Sequence, residues 1–181
     1  HGAALSDLQR HLGARPYLLA DHPVAGYNQR MTDLQGALGC AQMKRAESIV
    51  AERQRLAGVY DSAFAGLDWL ATPAKPDGYE HGYQSYPCLF QPECVDSGSI
   101  IMINELRNLW MDKLQKQGVS TRPATHAVHM LSFYREKYGL CPEDFPASYA
   151  ANHCSISLPL FHGMTELEQA YVVNSVLEGF N

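Results

Sequence analysis

The spacing in the sequence that most directly suggests chemistry is a pair of histidines, His126 and His129, three residues apart. On a helix this spacing places both imidazoles on one face, where they could bind a metal ion together. Zinc sites in proteins use three or four ligands, and the spacing of the neighbouring residues suggests no third one. The pattern alone leaves a metal-binding pair and a polar surface loop as alternatives, and we predict no metal site.

A second polar stretch, Gly26-Tyr27-Asn28-Gln29-Arg30, stands directly before a predicted helix that Thr32 or Asp33 can cap. An asparagine in such a turn most often only shapes the backbone. Its amide can also donate N–H groups to a phosphate without carrying a charge. For Arg30, a ligand contact and an ion pair at a surface or interface are both open.

Hydrophobic periodicity predicts the elements that position these residues. A helix with Leu34, Ala37, Leu38 and Ala41 on its apolar face is followed by a helical stretch from about 46 to 67, and the sequence leaves open whether the two join near Lys44. A strand is predicted at 83–90, followed by a helix that ends near Gly118 and has the apolar residues Ile103, Leu106, Trp110 and Leu114. A short strand at 119–121, a helix at 146–152 and a strand at 155–160 follow. A capping box at Thr165 begins a final helix, whose predicted core stripe is Val173, Val176, Leu177 and Phe180.

This order of elements predicts an α+β fold in which a small sheet is packed with helices. With 181 residues, 46% of them hydrophobic and 18% charged, the chain is long and apolar enough to bury a core. The net charge of −5, without a run of Lys or Arg, argues against nucleic acid as a partner. No stretch is apolar enough to span a membrane, and five scattered cysteines without a CxxC pair are typical of a cytoplasmic protein.

The stretch from Gly26 to Gly39 closely resembles the Gly-Tyr-Asn-Tyr-Arg-Met motif, and the helix after it, of the DegT/DnrJ/EryC1/StrS aminotransferases. These are pyridoxal-phosphate (PLP) enzymes that aminate keto sugars carried on nucleotides. In this sequence Gln29 replaces the usual tyrosine. Three further stretches match the family in the same order, His81–Tyr86, Gly118–His129 and Ser155–Thr165.

The resemblance implies roles for several side chains. Asn28 would reach across a dimer and hydrogen-bond the phosphate of the PLP that the other subunit holds, and Arg30 matches the arginine of the same motif. His126 and His129 would lie on the loop that faces the substrate. Arg122 would contact an anionic group such as a sugar-nucleotide phosphate.

The match at His81–Tyr86 implies that His81 lies at the edge of the substrate cleft and Tyr86 in the core of the small domain. Two positions near the substrate loop differ from the family, because Ala127 replaces a usual proline and Ala124-Thr125 replaces common aromatic residues. The resemblance therefore predicts the location of the substrate pocket better than its shape.

In the family, the lysine that binds PLP covalently lies upstream of the Gly-Tyr-Asn motif, on a segment that would precede His1. The lysines of this sequence are Lys44, Lys75, Lys113, Lys116 and Lys137, and none stands in a Gly/Ser-rich phosphate loop. We therefore expect residues 1–45 to be a remnant of the large domain with its interface helix. Residues 46–181 would be the C-terminal small domain of a fold-type-I PLP aminotransferase.

Two functions follow from this interpretation. The chain would be the C-terminal portion of a transaminase for nucleotide-linked keto sugars, inactive alone and binding no PLP by itself, although the intact enzyme uses PLP. Its partner would be a second copy or the missing N-terminal domain. The alternative is a stand-alone, non-catalytic remnant that binds a partner or self-associates.

Overall fold

The computed structural model describes residues 17, 19, 21–26, 31–91 and 98–179. These residues form six α-helices and three β-strands. In chain order they are α1 (Asp33–Met43), α2 (Ala46–Phe64), β1 (Leu70–Ala71), β2 (Tyr86–Phe90), α3 (Ile100–Lys116), α4 (Ser132–Tyr138), α5 (Pro146–Cys154), β3 (Ser155–Leu158) and α6 (Glu166–Gly179). The α+β prediction is confirmed, and the helix pair that the sequence left open is broken at Lys44 and Arg45.

The three strands form one antiparallel sheet in the order β1-β2-β3. At the other edge of β3, Arg122 and Ser157 exchange both backbone hydrogen bonds, at 3.3 and 2.6 Å. The predicted strand at 119–121 is not formed, and only the next residue, Arg122, is bridged to the sheet. This bridge fixes the start of the loop that carries His126 to the edge of the sheet.

The core lies on the face of β2 from which Tyr86, Cys88 and Phe90 project, as their alternation in the sequence predicted. Helix α2 covers this face with Tyr60, whose ring centroid lies 5.0 Å from that of Tyr86. Helix α3 covers it with Trp110, which stacks on Phe90 at 5.4 Å. Aromatic pairs at these distances add to the stability that area burial gives.

Helix α3 departs from the predicted apolar stripe at one position. Leu106 is exposed, and the neighbouring Arg107 is buried in its place. The Arg107 guanidinium donates to the carbonyl oxygens of Asn152 (3.2 Å) and Ser155 (2.8 Å), at the end of α5. Burial lowers the pKa of Arg107 to about 10, so the side chain is still protonated at neutral pH. A cation at a helix C-terminus satisfies carbonyls that the helix leaves unpaired.

Helix α6 is also rotated relative to its predicted stripe. Its buried residues are Gln169, Val172, Ser175, Val176 and Gly179. Of the predicted stripe, Val176 is buried and Val173 packs partly buried against the core, whereas Leu177 is on the exposed side and Phe180 lies outside the described residues. The predicted capping box at Thr165 is confirmed, since its backbone N–H donates to Glu168 Oε2 at 2.8 Å and its hydroxyl accepts from the Glu168 N–H at 3.2 Å.

Helix α1 has no buried residue. Leu34 and Leu38 keep 84% and 63% of their surface exposed, and the helix carries a single charge, Asp33. An apolar helix face of this kind normally packs against another surface.

In the described part of the chain the cysteines 40, 88, 141 and 154 are free thiols. No helix among these residues is long and apolar enough to cross a membrane.

Candidate functional site

The two residues expected to contact a cofactor phosphate, Asn28 and Arg30, lie outside the described part of the chain, so their roles stay predictions. The helix that follows them is described. Thr32 caps α1, accepting from the Gln35 N–H at 3.4 Å, while Gln35 Oε1 accepts from the Thr32 N–H at 2.8 Å. The motif is thus followed at once by a capped helix, as the sequence predicted.

His126 lines a cleft of about 380 Å³, which we call the His126 cleft. Its wall combines one acid, one arginine and a second histidine with smaller polar side chains. These polar lining residues are Asp21, His126, Ser132, Arg135, Asn152 and His153. The cleft therefore offers hydrogen-bond donors and acceptors of both charges to a polar ligand.

Asp21 lines one side of the cleft and begins the segment 21–26, which we call the strap. Asp21 joins the strap to the first turn of α4, because its carboxylate accepts hydrogen bonds from both the Ser132 hydroxyl and the Ser132 N–H, the latter at 2.9 Å. The Phe133 N–H donates to the carbonyl of His22 at 3.3 Å, and the His22 ring meets the His126 ring edge-on, with centroids 6.2 Å apart. The bonds from Ser132 hold the pKa of the Asp21 carboxyl below its usual value, although burial opposes them.

The opposite wall comes from the end of α5. The side-chain oxygen of Asn152 accepts the backbone N–H of Ala127 at 3.0 Å. The hydroxyl of Ser155 accepts the N–H of Ala124 at 3.2 Å. These two bonds fix the backbone on either side of His126, so its position depends on the end of α5 and the start of β3 as well as on the strap.

His153 also lines the His126 cleft. Its Nδ1 lies 2.8 Å from the carbonyl oxygen of Tyr149, and because a carbonyl can only accept, Nδ1 carries the proton. Burial lowers the pKa of His153, the bond to Tyr149 opposes this, and the nearby Arg107 lowers it further. The ring is therefore neutral at pH 7, which leaves Nε2 as an acceptor on the wall of the cleft.

His129 does not lie on a polar surface loop. Its side chain is only 6% exposed, its ring centroid lies 5.1 Å from that of Phe145, and its Nε2 has no hydrogen-bond partner among the residues that the structure describes. It stands in a 3-10 turn, Val128–Met130, that begins just after His126. His129 is therefore packed behind the loop, whereas His126 lines the cleft.

Arg122 and His81 lie elsewhere. Arg122 is half-buried beside β3, where its Nη1 donates to the Thr121 carbonyl at 2.9 Å, and it does not line the His126 cleft. His81 precedes β2, and its Nδ1 accepts from the Tyr83 N–H at 2.9 Å. The structure therefore brings only one of the four predicted substrate residues, His126, into this cleft.

The loop around His81 is held by α2. Arg53 donates to the carbonyls of Tyr83 (2.7 Å), Gln84 (3.0 Å) and Leu160 (3.4 Å). Tyr83 has a φ of +43°, a backbone conformation that residues other than glycine rarely adopt. The guanidinium thus stabilises a strained turn next to His81.

All five lysines of the chain are in the described part, and none lines the His126 cleft. Lys113 donates to the carbonyls of Glu178 and Gly179, and Lys137 lies 5.3 Å from the ring centroids of Phe133 and Tyr138. Lys44, Lys75 and Lys116 are exposed on helix ends or in a loop. Within the described residues there is also no group of three or more His, Cys, Asp or Glu side chains that could hold a metal ion.

Sequence reasoning missed most of the cleft. Asp21 and Ser132 are 111 residues apart, and helix α4, which begins at Ser132, was not predicted. Asn152 and His153 lie near the end of helix α5, which was predicted only as far as residue 152. The capping potential of an aspartate is visible in a sequence, but its target across such a separation is not.

The comparisons with known proteins agree on one family. The profile of the DegT/DnrJ/EryC1/StrS aminotransferase family matches residues 7–177. An uncharacterised protein of Methanocaldococcus jannaschii is 32% identical over 151 residues, which are 83% of this chain and 37% of that protein. A GDP-perosamine synthase of Escherichia coli O157:H7 is 27% identical over 160 residues, covering 88% of this chain and 39% of the synthase.

Among solved structures, the Helicobacter pylori aminotransferase PseC, involved in the biosynthesis of pseudoaminic acid, matches with a TM-score of 0.70. It is 20% identical, and the match covers 99% of this chain and 43% of PseC. At that identity the likeness establishes the fold alone. The chain spans about two fifths of the length of the proteins it matches. Because the family profile covers nearly all of its sequence, the chain belongs to the DegT/DnrJ/EryC1/StrS aminotransferase family.

Proposed function

We propose that this chain is the C-terminal part of a PLP-dependent aminotransferase that acts on nucleotide-linked keto sugars. The observation that carries the proposal is the family match over residues 7–177, in which the Gly-Tyr-Asn motif and the substrate-loop segment stand in family order. The GDP-perosamine synthase among its relatives supports a nucleotide-linked sugar as the substrate class. The free thiols of the described cysteines are compatible with a cytoplasmic enzyme.

In this proposal the chain contributes binding groups. PLP, when bound in the intact enzyme, supplies the electron sink for moving an amino group. Asn28 donates its amide N–H to the cofactor phosphate in a partner subunit, and Arg30 adds a positive charge nearby. His126 and the polar wall of its cleft bind hydroxyl groups of the substrate, while Arg122 binds an anionic group and His81 lines a separate part of the surface.

The chain is proposed to be inactive by itself. Transamination needs a lysine that both attaches the cofactor and moves a proton. Lys113 is bonded to the end of α6 and Lys137 packs on two aromatic rings, while the other three lysines are exposed on the surface. The lysine would therefore come from a polypeptide segment upstream of the Gly-Tyr-Asn motif.

The exposed apolar face of α1 supports a partner for the chain, either a second copy or a large domain. The same observation keeps a second candidate, a non-catalytic module that functions through association. Both candidates bury Leu34 and Leu38. They differ in whether the assembled protein binds PLP.

The test is a reconstitution. The pure chain is mixed with PLP, glutamate and a nucleotide-linked keto sugar, and we expect neither turnover nor the visible absorbance of protein-bound PLP. The separately produced N-terminal part of a family relative, which carries the lysine, is then added. PLP binding and turnover should appear, and should be absent when that lysine is replaced by alanine.

Turnover by the pure chain would contradict its proposed dependence on an upstream lysine. A stable complex with the N-terminal part that still binds no PLP would favour the non-catalytic module. The lysine-to-alanine variant of the N-terminal part keeps the surface that contacts this chain. It therefore distinguishes loss of chemistry from loss of assembly.

A further inference from the structure

One carboxylate joins two of the segments that line the His126 cleft, the strap and helix α4. Asp21 belongs to the strap, which runs directly into the Gly-Tyr-Asn motif. Ser132 begins α4, and its hydroxyl and N–H both donate to that carboxylate. The two residues are 111 positions apart, so this contact joins segments that the sequence does not bring together.

A second pair of contacts runs alongside the first. The Phe133 N–H donates to the His22 carbonyl at 3.3 Å, and the His22 ring packs edge-on against His126 at 6.2 Å. Helix α4 follows the 3-10 turn that contains His129, so a shift of Ser132 would be transmitted directly to the loop at 126–130. The strap therefore contacts His126 at the start of that loop and Ser132 and Phe133 in the helix that follows it.

We infer that Asp21 is a positioning residue, which fastens the strap to Ser132 and thereby holds His126 at the wall of its cleft. The charged and titratable groups around Asp21 are consistent with this role. Arg135 on α4 attracts its carboxylate, and His126 from the loop and His153 from α5 line the same cleft. The inference depends on the proposed function only for the statement that the cleft receives substrate.

The contact itself can be measured on the chain alone by amide hydrogen exchange and NMR at pH 7. Asp21→Ala removes both acceptor oxygens, whereas Asp21→Asn leaves one neutral acceptor. Loss of a charge-assisted hydrogen bond should speed exchange at Ser132 and Phe133 by about tenfold or more in the alanine variant, with the asparagine variant between it and the parent. The nuclear Overhauser contact between the His22 and His126 rings should weaken in the same order.

Asp144→Ala is the matched control. Asp144 is also a carboxylate that accepts a backbone N–H, that of Cys141 at 2.8 Å, but it does not line the His126 cleft. Its removal should speed exchange at Cys141 and leave Ser132, Phe133 and the His22–His126 contact unchanged. Ser132→Ala provides a second approach from α4, because it deletes the hydroxyl bond and keeps the backbone bond.

The inference is overturned if Asp21→Ala leaves exchange at Ser132 and Phe133 and the ring contact at their parental values. It is equally overturned if exchange rises uniformly along the chain, since that result would indicate global destabilisation rather than a local fastening. Neither outcome depends on PLP or substrate, so the proposed function and this inference can fail separately.

Discussion

The backbone of Gly179, at the end of α6, lies against the indole ring of Trp110. A β-carbon on Gly179 would come within 2.6 Å of the indole Nε1 and 3.1 Å of the neighbouring ring carbon. Trp110 cannot move aside, because it is 3% exposed and lies between Phe90 and Trp69. The contact explains why a glycine occupies a buried helical position.

Gly179→Ala should therefore destabilise the fold by about 1–3 kcal/mol, the usual cost of overpacking a well-filled core. Gly58→Ala is the control, because Gly58 is exposed in α2 with nothing within 4 Å of an added β-carbon. That change should stabilise by about 0.5–1 kcal/mol through helix propensity. Urea unfolding measures both, and equal signs for the two variants would disprove the steric argument.

The lowered pKa of His153 predicts an acid-sensitive stability. The unfolded chain takes up a proton near pH 6.5, whereas the folded chain takes it up only at lower pH. Between these values the unfolded state binds more protons, so the free energy of unfolding falls as the pH falls below about 6.5. His153→Gln should reduce this slope between pH 7.5 and 5.5. An unchanged slope in the His153 variant would refute the assignment.

The apolar face of α1 predicts self-association of the isolated chain. Leu34→Glu combined with Leu38→Glu should shift the sedimentation profile toward monomer at tens of micromolar, because each charge would have to be desolvated at the contact. Leu167→Glu is the control, since Leu167 in α6 is as exposed as Leu34, at 84%. A parent chain that is already monomeric, or a Leu167 variant that dissociates equally, would contradict a contact through α1.

The proposed role of Asn28 predicts an effect only in an assembled enzyme. Asn28→Ala should change the stability of this chain by about 1 kcal/mol or less, as for most turn side chains. When this segment is grafted into an intact relative, the same change should weaken PLP retention about tenfold to a hundredfold, the value of a charge-assisted hydrogen bond. Gln29→Ala serves as the neighbouring control. A graft that retains PLP as tightly as its parent would leave Asn28 with a purely structural role.

The features that the sequence predicted well are local ones. The capping residues Thr32 and Thr165 act within three residues of their partners, and the alternation from Tyr86 to Phe90 reports directly on one face of a strand. Each signal is complete within a few residues, so no knowledge of the tertiary structure was needed to interpret it.

The features that were missed depend on distant partners. Arg107 replaces Leu106 in the core, where carbonyls 45 and 48 residues away accept hydrogen bonds from its Nη1. On α6, Gln169 is buried because its side chain donates to the Leu56 carbonyl at 2.7 Å, 113 residues away. A prediction from apolar periodicity places both Arg107 and Gln169 on the surface. The predicted apolar faces of α3 and α6 therefore differ from the observed ones. The His126 cleft was missed for the same reason, since it is built from segments at 21, 126–135 and 149–153.

The turn beside His81 and the strap beside His126 are held by chemically different contacts. Arg53 holds the turn at Tyr83 and Gln84 through backbone carbonyl oxygens, and these acceptors carry no charge that acid could remove. Asp21 holds the strap through a carboxylate, which loses its charge in acid. Because the pKa of Asp21 is held below that of an ordinary aspartate, the strap beside His126 should be released only in more strongly acidic solution, where the turn beside His81 should still keep its shape.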